Sequence, residues 1–372
     1  MLAAEDSVQA ARTLRLAALQ RERDLDLLLV SEPVNLRYLT GFTGSNGLAL
    51  LAAEPDVRPR FFTDFRYATQ SAEQLPALYD REIVQLDLLE TAARLLAEQG
   101  GGGRLGFDEA ALSVKQHRRL RELLDEEWEL VGAAGLVEGL RELKDAAELE
   151  RIRAAAQLAD EALRGMLEGG LAGRTERDVA IDLELRMRRL GASAPSFSSI
   201  VAAGSHSALP HAEARDVEIP RDTLVTIDWG AEHEGYCSDC TRTFATGERL
   251  GEQEREIYAL VLRAQLAGLD AVRPGPSGRE VDAAARAVIE SAGHGEHFGH
   301  GLGHGVGLEV HEAPRLSRTA AEQPLRAGHV VTVEPGVYVP GQVGVRIEDL
   351  VAVTADGHEV LNGLPKELTV VS

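Results

Sequence analysis

The stretch 300–312 reads HGLGHGVGLEVHE and sets three histidines and two acids among closely spaced glycines. Glycine occupies every second position from Gly299 to Gly307, so the backbone around His304 is bare. Glycine is favoured where a chain bends sharply or lies close against another segment. A second histidine, His311, follows seven residues after His304 and precedes an acid. We interpret the stretch as part of a functional site.

The length and charge of the chain bound the class of protein. At 372 residues it exceeds one typical domain, so two domains are expected. The net charge of −21 disfavours nucleic acid and anionic membrane surfaces as partners, because both require a basic face. The N-terminal segment lacks the apolar core of a signal peptide, and no apolar run approaches the length of a membrane span. We therefore expect a cytoplasmic protein.

Hydrophobic patterning predicts two domains. Residues 1–137 combine helical patterns with short apolar runs, which predicts an α/β domain in which the runs form strands of a mixed sheet. These runs lie at 25–30, 35–42, 47–53 and 58–67. Residues 138–372 open with a long helical pattern and continue with helical and strand-like segments, which predicts an α+β domain. The strand-like segments of this part lie at 197–204, 223–231, 235–245, 330–339 and 343–353.

The two cysteines, Cys237 and Cys240, do not predict a redox or zinc site. Their flanks are rich in β-branched and aromatic residues and are typical of a strand, whereas a redox Cys-x-x-Cys pair opens a helix. Side chains three positions apart in a strand point to opposite faces. Two thiols also cannot form a four-thiol zinc site.

Asp228 and Asp239 are the first pair of candidate metal ligands. Each lies in strand-like sequence that is otherwise apolar or β-branched, where a carboxylate is costly unless it is paired or binds a metal. A hairpin symmetric about His233 and Glu234 would make the two acids cross-strand partners on one face. Two carboxylates so close repel each other, so a positive charge is expected between them.

Glu334 and Glu348 form a second pair with the same logic. A hairpin centred on Gly341 would place them opposite each other. Pro335 predicts a strand edge or bulge directly after Glu334, and Arg346 shares a strand face with Glu348. The alternative for either pair is a set of acids held by salt bridges, without any metal.

Together with His304, these carboxylates form a set of four acids and one imidazole. Such an oxygen-rich set is typical of two divalent cations bridged by carboxylates. It favours Mn²⁺, with Co²⁺ or Zn²⁺ as substitutes, over a metal that prefers thiolates. Two such ions commonly hold a water or hydroxide between them as the nucleophile. The set therefore predicts metal-assisted hydrolysis.

The order of these residues resembles that of the "pita-bread" metallopeptidases, the family of methionine aminopeptidase, aminopeptidase P and prolidase. Three motifs carry the resemblance over 138–372, namely IDWGAEHEGYCSDCTRTF, HGLGHGVGLEVHE and VEPGVYVPGQVGVRIED. The segments YLTGFTGSNG (38–47) and FFTDFRY (61–67) resemble the creatinase/prolidase-type amino-terminal domain over 1–137. The resemblance implies an α/β creatinase/prolidase-type N-terminal domain followed by an α+β pita-bread catalytic domain.

The resemblance also implies a role for each candidate ligand. Asp228 and Asp239 would bind one metal ion, with Asp239 bridging, and His304 would bind the other. Glu334 and Glu348 would complete the pair, and Glu334 would also be the proton shuttle. A metal-bridging hydroxide would attack the scissile carbonyl.

Two further histidines match family histidines near the substrate. His211 and His311 would hydrogen-bond the carbonyl oxygen and the tetrahedral oxyanion. Imidazole suits this task because it can carry a proton near neutral pH. His206 lies in the same loop as His211 but matches no family residue, and we expect it to be solvated.

The activity implied is hydrolysis of the bond between an N-terminal residue and proline in short proline-containing peptides. An aminopeptidase P cleaves longer peptides, and GFTGSNG (41–47) resembles that branch, which we favour from the sequence. A prolidase is restricted to Xaa-Pro dipeptides and neutralises the proline carboxylate. Arg315 and Arg346 are suited to that task, although both could brace the metal ligands instead.

Two other readings of the same resemblance are disfavoured. A metal-less scaffold protein would have lost ligands, whereas the set is complete here. A methionine aminopeptidase usually lacks the N-terminal domain, and creatinases lack the metal ligands. In this family the N-terminal domain of one subunit often caps the neighbouring site, so the resemblance also implies a homodimer.

Overall fold

A computed structural model describes residues 2–85 and 87–372, and the side chains of 8–85, 87–98 and 100–372. Contacts divide the chain into two compact units, Met1–Arg141 and Glu142–Ser372. The division falls at the end of a short helix, and the boundary expected after residue 137 lies inside that helix. Each unit is described by itself below.

The first unit is a mixed sheet covered by helices. Its strands are β1 (Leu27–Val30), β2 (Gly47–Ala52), β3 (Arg60–Asp64), β4 (Asp80–Val84), β5 (Gly103–Phe107) and β6 (Trp128–Gly132). They follow the order β4-β3-β2-β1-β5-β6, in which β2 is antiparallel to β1 and β3 and the other neighbours are parallel. Its helices are α1 (Leu2–Glu22), α2 (Pro33–Thr40), α3 (Ala68–Gln74), α4 (Leu88–Gln99), α5 (Val114–Leu123) and α6 (Leu136–Arg141).

Three of the four short apolar runs form strands, but the run at 35–42 forms most of helix α2. Pro33 occupies the first turn of α2, where its missing N–H costs nothing. Gly41 ends the helix in the left-handed region with φ 74°, and its amide donates to the carbonyl of Arg37. The strand prediction for this run was therefore wrong. The signal that predicts a helix here is a proline at the start of a segment of helical length and a glycine just after its end.

The second unit contains longer helices and several small sheets. Its helices are α7 (Ala146–Leu167), α8 (Glu176–Leu190), α9 (Glu252–Ala271) and α10 (Gly278–Ser291). Its strands are β7 (Ala194–Pro195), β8 (Ile200–Ala203), β9 (Leu224–Trp229), β10 (Ala231–His233), β11 (Tyr236–Cys237), β12 (Cys240–Ala245), β13 (Gly303–Gly305), β14 (Glu312–Leu316), β15 (Val330–Val333), β16 (Gly336–Val339), β17 (Val343–Arg346), β18 (Asp349–Val353) and β19 (His358–Val360). No helix in the described parts of the chain is both long and apolar enough to cross a bilayer.

Two helix pairs each pack on their own set of strands. Helices α7 and α8 form a core with β8, β9 and β12, in which Leu163 and Trp229 are fully buried. Helices α9 and α10 form a second core with β15 to β18, in which Val261 and Val333 are fully buried. Along β9, β12 and β17 the residues of these cores alternate, so the opposite faces of these three strands are free for another purpose.

Those opposite faces meet through hydroxyl groups rather than apolar side chains. The hydroxyl of Thr226 on β9 donates to the carbonyl of Gly344 at 3.3 Å. The hydroxyl of Thr243 on β12 donates to the carbonyl of Arg346 at 2.9 Å. Because these buried hydroxyls are hydrogen-bonded, they do not destabilise the fold. We refer to the space between β9/β12 and β17 as the polar gap.

The glycine-rich stretch passes between two strands, because β13 pairs with both β14 and β15. A Cβ atom at Gly303 would overlap the carbonyl of Thr332, and one at Gly305 would overlap the carbonyl of Ala313. Neither position can carry a side chain. The prediction that these glycines permit a close approach is confirmed.

His329, just before β15, makes the stability of the second unit depend on pH. Its Nδ1 accepts a hydrogen bond from the amide of Arg326 at 3.1 Å. Burial, followed by the positive charges of Arg326 and Lys144, lowers the pKa of His329 to about 4. An unfolded histidine has a pKa of about 6.5, so between these values the unfolded state binds a proton that the folded state does not. Stability should therefore fall by up to about 3 kcal/mol as the pH drops through this window.

We expect His329→Asn, whose Oδ1 matches Nδ1 as an acceptor for the Arg326 amide, to lose this part of the pH dependence. Urea unfolding of both proteins would be measured in EDTA at about pH 7.5 and about pH 4.5. The variant should gain free energy of unfolding relative to the wild type at the lower pH. A difference that does not change with pH would contradict the role given to His329.

Candidate metal centre

Asp228 faces the polar gap because of its place on β9. Its neighbours Ile227 and Trp229 are buried in the core with α7 and α8, and successive strand side chains point to opposite faces. Arg346 on β17 reaches across the gap, and its Nη2 lies 2.7 Å from Asp228 Oδ2. The carboxylate is therefore held on the side away from the helices.

The predicted cross-strand pairing of Asp228 with Asp239 is wrong. Asp228 pairs with Thr241, and Asp239 lies outside the strands, directly before β12. The hairpin turns at Glu234 and Gly235, which both have positive φ, 49° and 83°. This is the signature of a type I′ turn, and it centres the hairpin later in the chain than expected. A ligand oxygen of Asp239 nevertheless lies within 4.8 Å of one of Asp228.

Glu334 and Glu348 lie at a common break in the second hairpin. The pair β15–β18 and the pair β16–β17 share one register centred on Gly341. The prediction of that centre is confirmed. Strand pairing is interrupted in both arms of the hairpin, at Glu334 and at Glu348. Pro335, which follows Glu334, has no amide hydrogen to donate to a neighbouring strand.

The freed amides of the two glutamates find other partners. The amide of Glu334 donates to the carbonyl of Leu302 at 2.8 Å, and that of Glu348 donates to the carbonyl of Thr241 at 3.1 Å. The hydroxyl of Thr241 also donates to Glu348 Oε2 at 2.7 Å. The glycine-rich stretch and β12 thus fix the two carboxylates from either side.

His304 is connected to both sets of acids. Its Nε2 lies 3.3 Å from Glu334 Oε1 and 3.6 Å from Asp239 Oδ2. Its amide donates to the hydroxyl oxygen of Thr332 at 3.1 Å, and the same hydroxyl donates to Glu334 Oε1 at 3.1 Å. Sequence patterns did not single out Thr332, although a threonine between buried valines of β15 was an available signal. The structure brings all five predicted ligands into one place.

Three of the carboxylates form a buried cluster. Ligand oxygens of Asp228, Asp239 and Glu348 all lie within 4.8 Å of one another. Burial, followed by the charge of neighbouring carboxylates, raises the pKa of Asp239 and of Glu348. Burial also raises the pKa of Asp228, although Arg346 opposes the shift. The cluster therefore resists full ionisation unless further positive charge is supplied.

Oxygen atoms without a donor show what the cluster can accept. Oδ1 of Asp228 and Oε1 of Glu348 are buried and have no hydrogen-bond partner among the described residues. A buried polar atom of this kind costs free energy unless something binds it. A divalent cation prefers carboxylate oxygens and would also relieve the repulsion between the acids. The residues present fit a divalent metal site.

Glu334 is ionised, in contrast to the cluster. Burial acts against its charged form, but the hydrogen bond and positive charge of His304 outweigh burial and lower the pKa of Glu334 to about 2. In turn, burial acts against a charged His304, and Glu334 outweighs burial to raise the pKa of the imidazole. Glu334 is therefore a carboxylate at neutral pH.

Arg346 is occupied by groups of the site itself. Besides Asp228, its Nη1 donates to Tyr338 Oη at 2.7 Å and its Nε donates to Thr241 Oγ1 at 3.0 Å. Burial raises the pKa of Tyr338 to about 12, so the phenol is neutral. The Tyr338 hydroxyl also lies 3.0 Å from His300 Nε2. Tyr338 was not singled out in the sequence, where it stands as one aromatic residue in an apolar strand.

The residues expected near the substrate lie on the exposed side of the site. His211, His311 and Arg315 are all exposed. The ring centroids of His304 and His311 are 4.3 Å apart. Burial lowers the pKa of His311, and the nearby charges of His304, Arg315 and His211 lower it further. His211 and Arg315 are thus both close enough to His311 to act on it.

Three other residues behave differently from the ligand set. The prediction that His206 is solvated is wrong, because the residue is buried and its Nδ1 lies 3.0 Å from Glu176 Oε1. Cys237 and Cys240 are buried free thiols. Burial raises the pKa of Cys237 to about 12, which leaves the thiol unreactive.

Family models match both units of the chain. The model of metallopeptidase family M24 matches residues 150–355, and that of the creatinase/prolidase N-terminal domain matches residues 12–143. The Xaa-Pro dipeptidase of Pyrococcus furiosus is 35% identical over 361 residues, which cover 95% of this chain and 98% of that protein.

Solved structures are similar over nearly the whole chain. The structure of an Xaa-Pro dipeptidase from Bacillus anthracis has a TM-score of 0.91 at 40% identity and covers 97% of this chain and 99% of that one. An X-Pro aminopeptidase from Thermotoga maritima has a TM-score of 0.85 at 33% identity, covering 93% of this chain and 98% of that one. The expected creatinase/prolidase-type and pita-bread domains are confirmed. The chain belongs to metallopeptidase family M24.

Proposed function

We propose that this protein is an Xaa-Pro dipeptidase that uses two divalent metal ions to hydrolyse the bond between an N-terminal residue and proline. The observation that supports this proposal is the buried cluster of Asp228, Asp239 and Glu348 in a chain similar to Xaa-Pro dipeptidases over nearly its whole length. The relatives thus favour the dipeptidase over the aminopeptidase P preferred from the sequence.

In this proposal Asp228 and Asp239 would bind one ion and His304 the other, with Glu334 and Glu348 completing the pair. The oxygen-rich donors suit Mn²⁺, with Co²⁺ or Zn²⁺ as substitutes. When bound, such a pair supplies an activated water molecule and polarises the scissile carbonyl.

Glu334 is suited to hold a proton during the reaction. It is a carboxylate at neutral pH with an oxygen able to accept a proton, and the low pKa that His304 gives it would make the protonated form a strong acid that releases the proton readily. The hydroxyl of Thr332 and the imidazole of His304 both contact its Oε1, which fixes the orientation of the carboxylate. A positioned carboxylate of this kind can then pass the proton to the departing proline nitrogen.

His211 and His311 are suited to stabilise the carbonyl oxygen. Because the pKa of His311 is lowered, its imidazole is neutral at pH 7 and can stand beside cations without repulsion. A neutral imidazole still offers one N–H to a developing oxyanion.

We assign the two arginines to different tasks. Arg346 is buried and its guanidinium is directed at Asp228, Tyr338 and Thr241, so we propose that it braces a metal ligand. Arg315 is exposed near His311, so we propose that it binds the carboxylate of the substrate proline. A guanidinium can bind a carboxylate through two parallel hydrogen bonds.

An X-Pro aminopeptidase is the second candidate function. It is favoured by the similarity to the Thermotoga maritima structure, whose name states that activity. In that case the carboxyl side of proline carries further residues and Arg315 has no terminal carboxylate to bind. The homodimer and the cytoplasmic location expected from the sequence stay predictions.

The length of the peptide that is cleaved distinguishes the dipeptidase from the aminopeptidase. We expect the Mn²⁺-loaded protein to release alanine from Ala-Pro with a kcat/KM at least about tenfold above that for Ala-Pro-Ala, since only the dipeptide presents its carboxylate to Arg315. Free alanine would be quantified by chromatography. Equal or faster cleavage of the tripeptide would establish the aminopeptidase, and no cleavage of either peptide would favour the scaffold.

Arg315→Met tests the carboxylate site directly. We expect KM for Ala-Pro to rise about tenfold or more with little change in kcat, because the lost contact is made equally in the ground and transition states. The amide Ala-Pro-NH₂ should be cleaved equally by both proteins. The control is Arg318→Met, an exposed arginine paired with Glu290 at 2.6 Å, and it should behave as wild type. A KM for Ala-Pro that does not change in Arg315→Met would contradict the assignment.

Asp239→Asn tests the metal role through stability. In EDTA we expect the variant to be more stable than the wild type by about 1 kcal/mol or more, because a neutral amide removes repulsion from the cluster. In excess Mn²⁺ the order should reverse, since binding stabilises only the protein that holds the metal tightly. Urea unfolding would be compared with Glu248→Gln, an exposed acid, as the control for net charge. If Mn²⁺ stabilised Asp239→Asn as much as the wild type, Asp239 would not be a ligand.

A further inference from the structure

The loop that carries His211 is attached at both ends to one carboxylate. The loop comprises residues 204–214, between Ala203 at the end of β8 and Arg215. The amide of Ala203 donates to Glu176 Oε1 at 2.9 Å, and the amide of Arg215 donates to Glu176 Oε2 at 3.1 Å. Glu176, in the first turn of α8, therefore closes the base of the loop.

Side chains add to the same attachment. Arg215 donates through Nε to Glu176 Oε2 at 3.0 Å and through Nη2 to Oε1 at 3.1 Å. His206, within the loop, places its Nδ1 3.0 Å from Oε1. The Glu176 side chain is only 1% exposed. Burial acts to raise the pKa of Glu176, but these hydrogen bonds outweigh burial and lower it, so the group is charged and both oxygens accept.

The far side of the loop is held at the metal centre. Ser207 Oγ accepts a hydrogen bond from the amide of Gly344 at 2.8 Å. The carbonyl of Pro210 accepts one from Arg346 Nη1 at 3.3 Å. His211 follows Pro210 directly, so the backbone that carries its imidazole is held between Glu176 on one side and β17 on the other.

We propose that Glu176 is a positioning residue for His211. This inference rests on the proposed function, in which His211 stabilises the oxyanion. With the base of the loop released, the imidazole would no longer be held at one distance from the scissile carbonyl. A misplacement of about 1 Å can cost about 100-fold in rate. A clamp that serves stability alone would lower the stability of the protein without acting through His211.

The experiment is a double-mutant cycle of Glu176→Gln with His211→Ala, measured with Mn²⁺ and the better of the peptides Ala-Pro and Ala-Pro-Ala. Glutamine keeps the size of the side chain. In either orientation of its amide, however, the NH₂ group would face hydrogen-bond donors and could not accept from them. We expect Glu176→Gln alone to lower kcat about tenfold or more and to change KM less than about twofold. In the His211→Ala background it should lower kcat less than about twofold further, because the group it positions is gone.

Glu184→Gln is the matched control. Glu184 lies on the same helix, and its carboxylate also accepts a hydrogen bond from a backbone amide, that of Ser199 at 2.9 Å, outside the loop. This variant should leave kcat within about twofold of wild type. Hydrogen exchange of the amides at 204–214 should accelerate in Glu176→Gln and stay unchanged in Glu184→Gln.

The outcomes separate the inference from the function on which it rests. If Glu176→Gln lowers kcat equally with and without His211, or leaves kcat unchanged, Glu176 does not position His211. If the wild type cleaves neither peptide, or His211→Ala is fully active, the proposed function or the role of His211 fails, and the inference fails with it. Should Glu176→Gln not fold, Arg215→Lys provides the same cycle with a side chain that is 47% exposed, and a smaller loss with the same non-additivity is expected.

Discussion

The mutual repulsion of Asp228, Asp239 and Glu348 is the constraint that the second unit is built to withstand. Two like charges about 4 Å apart repel by about 4 kcal/mol at an effective dielectric constant of about 20. A folded domain is stable by only about 5–15 kcal/mol. The acids can remain together only because rigid strands hold them and because positive charge compensates them. The apolar cores on α7/α8 and α9/α10 supply the rigidity, since the strands that carry or flank the four candidate carboxylates, β9, β12 and β15 to β18, are packed against them.

Positive charge is supplied from behind the site as well as from within it. Arg242 is buried, and its guanidinium donates to the carbonyl of Glu348 and, at 2.8 Å, to Asp349 Oδ1. Lys366 binds the other oxygen of Asp349 at 2.7 Å. These contacts fix the backbone at Glu348, and the hydrogen bond from the Thr241 hydroxyl holds its carboxylate in the cluster. Arg346 fixes Asp228 from inside the polar gap in the same way. A metal ion would enter a site whose geometry is already formed.

The sequence predicts those parts of the site that depend on local symmetry. Glu334 and Glu348 could be paired because both arms of their hairpin share one register about Gly341. The register predicted for Asp228 and Asp239 was wrong because the turn of their hairpin includes Glu234 at positive φ. Positive φ at a residue other than glycine cannot be predicted from the sequence pattern. The helix at 33–40 was missed because its apolar residues also fit a strand. Contacts between distant segments, such as those of Tyr338 and Glu176, cannot be predicted from spacing at all.

The charges of the site differ between its buried acids and its exposed side. Asp239 and Glu348 are buried, the ring centroid of His311 lies 4.3 Å from that of His304, and the exposed Arg315 is close enough to lower the pKa of His311. In the proposed dipeptidase, Arg315 would bind the carboxylate of the peptide, and His211 and His311 would face its scissile carbonyl. An arginine in place of His311 would be repelled by bound metal ions, whereas a neutral imidazole is not. Under the proposed function, the same electrostatic order would hold the metals, bind the peptide carboxylate and leave a neutral hydrogen-bond donor at the scissile carbonyl.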